Sequence, residues 1–439
     1  MINKITFLLF CLFTVRCYAQ NPITPPGVYL SDPAAHVWKD GKLYVYGSRD
    51  ESPNYYCSHS QDVLSTSDMR TWMMTKNIFS SREKNSHFIF YNALLYAPDV
   101  QYKNGLYYMY FCLSGGKENE GVATSKNTEG PFSNSKPMNL YGFNQIDPCV
   151  FIDDDGQAYY IWGQFNAKVA KLKANMIEID SSSIRDSVVT EKQHHFHEGG
   201  YMIKRKDIYY FIYADMSRGD KPTCLGYSTS KSPFGPFKYG GVIIDNDHCD
   251  PGNWNNHGAL VEFKNQWYVF YHRATQGSNT MRKACVEPIS FNADGSIDEV
   301  EMTSQGAGPA LNAYQKIDAE KACIMYGNVR IQPFTAENEE LGKIKSGDVA
   351  GYKYIDFKDS ADSVEFRVAP GTKASKIDIG LDNIWGPSIA IINVPANVSN
   401  EWLTLSSKVN NVKGIHAIWL RFSGEGENIC SVDWFRFLK

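Results

Sequence analysis

One phrase, written five times, constrains this chain more than any other feature. Each copy has a polar head residue, a short apolar run, a turn and a returning aromatic run. Asp32-Pro33 leads into AHVWKDGKLYVYG, Pro98-Asp99 into VQYKNGLYYMYF, and Asp147-Pro148 into CVFIDDDGQAYYIWG. His197-Glu198 leads into GGYMIKRKDIYYFIYA, and Asn256-His257 into GALVEFKNQWYVFYH. Asp-Gly and Asn-Gly tolerate the positive φ of tight hairpins, and the flanking runs of Tyr, Ile, Val and Trp read as paired strands. The copies recur at intervals of about 50 to 65 residues, the spacing of propeller blades. Four-stranded blades set around a central channel close the molecule radially and leave few exposed edges. A plain sandwich whose strands end in turns by chance would not repeat the polar head. The expectation is an all-β chain that begins as a five-bladed β-propeller.

The 439 residues exceed one compact core, so a second domain is expected. Near Ala310 the blade phrase stops, and Lys, Glu and Asn become more frequent. The alternating run Lys376 to Leu381, Trp402 and the closing Val432 to Phe437 suggest a small β-sandwich. The divisions read from this are 1–19, 20–308 and 309–439. Within the repeat region, Gly130-Pro131-Phe132 is echoed by Gly235-Pro236-Phe237.

Met1 to Ala19 reads as a secretory leader: Lys4, an apolar run from Ile5 to Val15, then Cys17-Tyr18-Ala19 as a small-residue cleavage site. Export to the periplasm or medium is therefore expected, and no stretch is long enough to span a bilayer. Eight Cys lie beyond the leader with no CxxC pairing, which argues against a zinc site and reads as small buried hydrophobes. A net charge of −4 gives no reason to expect a nucleic-acid partner. Aromatic residues make up 14 % of the chain, a share that suits both a β-rich core and stacking against sugar rings.

Chemistry would come from the head residues. The innermost strand of each blade lines the channel, so Asp32, Asp99, Asp147, Glu198 and His257 should meet at one end. Crowded carboxylates raise one another's pKa. Glycoside hydrolysis uses such an arrangement, with one neutral acid for the leaving oxygen and one ionised base for water. Each head taken singly reads equally well as a turn former or strand cap.

Asp32-Pro33, Asp147-Pro148 with VFIDDDGQAYYIWG, and Glu198-Gly199 with IKRKDIYYFIY resemble the three signature segments of glycoside hydrolase family 43. Asn256-His257-Gly258 with WYVFYH, and Arg282, match further positions, and the likeness covers about Asn21 to Ser304. The resemblance implies an inverting glycosidase that needs no cofactor for its chemistry. Asp32 would be the general base, Glu198 the general acid, and Asp147 the residue that orients the acid and raises its pKa. An inverting pair stands roughly 6.5 to 9.5 Å apart. Asp99 would accept a sugar hydroxyl or cap a strand. Arg282 would contact substrate hydroxyls or Asp147. His257 would either touch a calcium ion in the channel or be a hydrogen-bonded pocket histidine.

The tail resembles a carbohydrate-binding module of family 6, on Ala319-Glu320, KIDIGL, Trp402, Gly414-Ile415-His416 and Asp433-Trp434-Phe435-Arg436-Phe437. That likeness implies a structural calcium near Glu320 and Asp433. It also implies a sugar cleft at Tyr352, Trp402 and Asn428, although Trp402 reads equally well as core. The expected partner is a plant cell-wall polysaccharide or oligosaccharide, and the expected state is a monomer. The expected activity is removal of α-L-arabinofuranosyl groups from arabinoxylan or arabinan. A β-D-xylosidase is the alternative within the class, and a non-catalytic sugar-binding protein the alternative outside it.

Overall fold

The computed structural model describes residues 20–83, 87, 90–113, 119–397 and 401–439; the proposed leader lies outside them. The described chain is nearly all β, with one four-residue α-helix at Glu191–His194. Residues 30–289 form five antiparallel sheets, each a meander of strands consecutive in sequence. Their first strands are Leu30–Val37, Tyr96–Lys103, Cys149–Ile152, Phe196–Arg205 and Ala259–Phe263. Each first strand packs against the first strand of the next sheet, and that of the fifth packs back against that of the first. The head residues are thereby gathered from five remote stretches to one end of a closed ring.

The hairpins form for local reasons. Asn104-Gly105 and Lys264-Asn265 each place two consecutive residues at positive φ, as tight two-residue turns require. At Asp153 to Gln157 the Asp153 carbonyl accepts from Gly156 N–H at 2.8 Å, and Asp155 caps Gln157 N–H at 2.8 Å. The two Gly-Pro-Phe phrases occupy the same place, immediately before the fourth strand of the second and fourth sheets, and bury both Phe rings.

The fifth sheet departs from the four-stranded pattern. It has three strands, Ala259–Phe263, Gln266–Thr275 and Ser278–Ile289. The Pro-rich lead-in lies alongside its last strand. Ile23 N–H donates to Ala284 O at 2.9 Å. The Asn21 amide then imitates a strand residue, accepting from Val286 N–H at 2.9 Å and donating to Val286 O at 3.0 Å. Nothing in the composition of residues 21–28 announces this, because two of the pairing bonds are made by the Asn21 side chain.

Residues 311–438 form two six-stranded sheets that share one apolar core. Ser363–Pro370 alternates strictly between half-buried and buried positions, the period-two pattern of a strand with one face inward. The sheets abut the ring through a buried ion pair. Lys283 Nζ lies 2.5 Å from Glu339 Oε2, while Tyr29 donates its hydroxyl to Glu339 Oε1 at 2.8 Å. All eight described cysteines are free and buried.

Candidate active site

The backbone explains why the heads point where they do. Asp32, Ala97 and Asp147 each precede a proline and each adopt positive φ, at 52°, 37° and 59°. In the first two sheets the pair drops out of register with the neighbouring strand, between Ser31 and Ala34 and between Tyr96 and Asp99. Such bulges re-aim side chains at sheet ends. The fourth sheet has the same break between Glu198 and Tyr201, with Gly199 at φ 68°. A Cβ at Gly199 would also sit 3.1 Å from the His257 ring, so a side chain there is doubly excluded.

This alignment favours one of the two expectations for Asp99, the strand cap over the sugar-hydroxyl acceptor. The residue equivalent to Asp32 in the second sheet is Ala97, and Asp99 lies two residues farther along the strand, level with Ala34. The Asp99 carboxylate is taken up there by His36 Nε2 at 2.6 Å and by the Val150 N–H at 2.7 Å. Pro98-Asp99 looks like Asp32-Pro33 read in reverse, and only the register separates the two.

Asp32, Asp147, Glu198, His257 and Arg282 do come together. Arg282 NH1 donates to Asp32 Oδ1 at 2.7 Å, with His272 and His257 Nδ1 atoms at 3.6 and 3.8 Å from the same oxygen. Burial alone would raise the Asp32 pKa, but Arg282, His257 and His272 outweigh it and hold the carboxyl well below the usual range. Arg282 does not reach Asp147, as one expectation had it. Its other donors bind Asp50, with Nε and NH2 each 2.9 Å from a carboxylate oxygen, and its guanidinium lies 5.0 Å from the Tyr56 ring centre. Burial pushes the Tyr56 phenol up to about 12, helped by the negative charges of Glu198, Asp32 and Asp50.

Asp147, on the opposite side, meets a different field. Asp147 is buried, accepts from Gly199 N–H at 3.0 Å, and receives a weak contact from the Cys112 thiol at 3.9 Å. Burial, then Glu198 and Asp32, push its pKa well above the ordinary carboxylate value. Glu198 is half-buried and held by two amides, Gln164 Nε2 at 3.0 Å and Asn255 Nδ2 at 2.9 Å. His257 is largely buried, and burial keeps its imidazole below the ordinary value although Asp32 and Glu198 pull the other way.

Asp50, His272, Tyr56, Gln164 and Asn255 were not singled out from sequence. A histidine closing the apolar strand YVFYH was the one visible signal among them. A cavity of about 400 Å³ lies elsewhere, lined by Asp245, His248, Glu299, Glu301 and Lys353. That cleft pairs its acids with Arg218 and Lys353 on the surface, so it lacks the buried, oppositely tuned carboxyls found at the strand heads.

In the tail, Tyr352 is fully buried and donates its hydroxyl to Ala319 O, so it lines no cleft. Trp402 is half-buried against Phe334 with ring centres 4.7 Å apart, and Asn428 is exposed. Trp385, missed from sequence, is 85 % exposed. Asp433 is engaged by Arg367 at 3.0 Å and by Asn338 at 2.8 Å. Glu320 is buried with Oε2 unpartnered, and burial pushes its pKa up to about 8. Among the described residues no group of three or more His, Cys, Asp or Glu converges as metal ligands, so the fit to a cation rests on Glu320 alone.

A model of the glycosyl hydrolases family 43 matches residues 19–297, and one of the carbohydrate-binding module family 6 matches residues 318–439. A xylosidase/arabinosidase of Thermoclostridium stercorarium is 27 % identical, covering 92 % of this chain and 96 % of its own length. An arabinoxylan arabinofuranohydrolase of Bacillus subtilis is 28 % identical over 93 % of this chain and 90 % of its own. The crystal structure of a family 43 arabinoxylan arabinofuranohydrolase from Bacillus subtilis, in complex with cellotetraose, superimposes with a TM-score of 0.55. It is 25 % identical and covers 96 % of this chain and 99 % of that one. Among the described residues no helix is long and apolar enough to cross a membrane.

Proposed function

The chain belongs to glycosyl hydrolase family 43 and is a glycosidase with a family 6 carbohydrate-binding module, and from that premise we propose that it removes α-L-arabinofuranosyl groups from arabinoxylan or arabinan with inversion. The observation that carries the reading is the opposite tuning of two buried aspartates around Glu198. Asp32, kept ionised by Arg282, takes a proton from water as the water oxygen bonds to the anomeric carbon. Glu198 gives its proton to the departing glycosidic oxygen as the carbon–oxygen bond breaks. Asp147, its own carboxyl raised by burial and by the Glu198 charge, is the neighbour that orients and modulates the acid. Arg282 acts by holding Asp32, and His257 shapes the floor between the two carboxylates.

Six exposed rings support a polymeric sugar as substrate: Tyr55, Tyr91, Tyr141, Phe143, Phe165 and Trp254. By the up-and-down order of the strands, all six lie in connections on the same side of the ring as the heads. A β-D-xylosidase is the second reading, favoured by the xylosidase/arabinosidase name of a relative. The same proposal takes residues 20–308 as a five-bladed propeller and 309–439 as a β-sandwich. It also takes residues 1–19 as a leader removed on export, the mature enzyme as a monomer, and Glu320 as the residue toward any tail calcium.

Turnover of 4-nitrophenyl arabinofuranoside, xyloside and galactoside ranks the sugars. Asp32→Ala and Glu198→Ala are then measured on the best substrate and on arabinoxylan. Each should lose about 10²- to 10⁴-fold in kcat, the worth of one positioned proton-transfer group. Glu198→Ala should lose less on the nitrophenyl glycoside, whose leaving group needs little protonation. Full activity in either variant overturns that residue's role.

A further inference from the structure

We propose that Asn255 and His272 form a hydrogen-bonded bridge that holds the general acid in register with the general base, an inference resting on those roles for Glu198 and Asp32. His272 lies in the strand Gln266–Thr275 and is fully buried. Its Nδ1 is 3.3 Å from the Asp32 backbone nitrogen. A backbone N–H only donates, so Nδ1 accepts and the proton of the neutral ring sits on Nε2. Nε2 then donates toward the Asn255 carbonyl at 3.1 Å and its Oδ1 at 3.2 Å. With Oδ1 accepting, Asn255 Nδ2 is left to donate to Glu198 Oε1 at 2.9 Å. The path runs in one direction, from the peptide of the base to the carboxyl of the acid.

The bridge is itself braced. Asn246 Nδ2 donates to Asn255 O at 2.9 Å and to His272 O at 2.8 Å, and Asn253 Nδ2 donates to Asn246 Oδ1 at 2.8 Å. Burial and the Arg282 charge hold the His272 pKa down to about 3, so the ring stays neutral and its tautomer does not change at working pH. Gln164 grips the other oxygen of Glu198, but its backbone leads to Gln145, not to Asp32. Asn255 and His272 are therefore positioning residues, and they couple the two ends of the reaction through three hydrogen bonds.

The test is a series of aryl glycosides of one sugar, with 2,4-dinitrophenyl, 4-nitrophenyl and phenyl leaving groups, run on Asn255→Ala, Asn255→Asp, His272→Ala and Asn255→Ala/His272→Ala. Asn255→Asp keeps the side-chain volume and the contact to His272 while removing the donor to Glu198. Both Asn255 variants should lose about 10- to 100-fold in kcat on the phenyl glycoside, part of the worth of the acid itself. On the dinitrophenyl glycoside they should stay within about threefold, because that leaving group departs without a proton. The double variant should be no worse than the more damaging single one by more than about threefold, since both act along one path. Equal losses across all leaving groups, or losses that multiply in the double variant, overturn the bridge. If Glu198→Ala shows no leaving-group dependence, the acid assignment fails and the bridge falls with it.

Discussion

Asp32 and Asp147 share a local setting and differ in almost everything around it. Each precedes a proline, adopts positive φ and stands at the head of an innermost strand. Both are buried. Asp32 faces the Arg282 guanidinium and two imidazoles, and its pKa falls. Asp147 faces a thiol and two carboxylates, and its pKa rises. Local sequence thus decides where each carboxyl sits, while burial and residues brought in from other sheets decide whether it is charged. Arg282 and Asp32 are 250 residues apart.

The largest test of that asymmetry removes the charge itself. Asp32→Asn keeps the shape and the bulge but removes the proposed base for water, and kcat should fall about 10³- to 10⁴-fold, the upper end for one proton-transfer group. Circular dichroism and the melting curve should stay close to wild type. A variant that keeps wild-type kcat would mean that the low pKa of Asp32 serves structure only.

Arg282→Met removes the cause and leaves the carboxylate. Asp32 and Asp50 then stand buried and unpaired, which should cost about 3 to 5 kcal/mol in denaturant unfolding. The pKa of Asp32 should rise, because burial is then opposed mainly by His257 and His272. Activity that needs ionised Asp32 is lost as pH falls through that pKa, so the acidic limb of kcat/KM should move to higher pH. An unmoved acidic limb would separate Arg282 from the tuning of Asp32.

Asp147→Asn tests the other side. The pair formed by Asp147 and Glu198 loses its shared negative charge, so the proton needed by the leaving group is released at lower pH. The alkaline limb of kcat/KM should therefore move down, with a loss of about 10- to 100-fold near neutrality. Movement of that limb upward would mean that Asp147 stabilises the ionised acid.

How much of this was legible from the chain follows the same division. The five strand pairs, their turns and the heads Asp32, Asp147, Glu198 and His257 are local patterns, and the structure brings those four together. For Asp99 the choice between sugar acceptor and strand cap had to wait for the register, because proline order relative to the bulge is invisible until then: Ala97 holds the position of Asp32. Asp50, Gln164 and Asn255 carry no local mark, and His272 only its place at the close of YVFYH, since each matters through a partner brought close by closure of the ring. Tyr352 shows the converse error in the tail, where a residue chosen for an aromatic cleft turns out to fill the core between two sheets. The three-stranded fifth sheet was missed for a like reason, its outer edge being met by the Asn21 side chain.

The smallest effect should come from Glu120, a second carboxyl that lies behind Asp147 and adds to its rise. Burial pushes Glu120 up to about 8 although Tyr160 donates its hydroxyl to Oε2, and Oε1 has no partner. The folded pKa is above the ordinary value of 4.5, so the folded state holds its proton more tightly than the unfolded chain does. The stabilisation is complete below the unfolded value and is lost as pH rises through the folded one. Glu120→Gln keeps an acceptor for Tyr160 and has no charge to bury. Relative to wild type it should be neutral near pH 4 and gain stability as pH rises toward 9, by on the order of a few kcal/mol. Melting temperatures of the two proteins across that range measure the difference directly. A gap that stays constant with pH would show Glu120 titrating alike in the folded and unfolded protein, and would leave Asp147 as the sole carboxyl on this side whose environment opposes its charge.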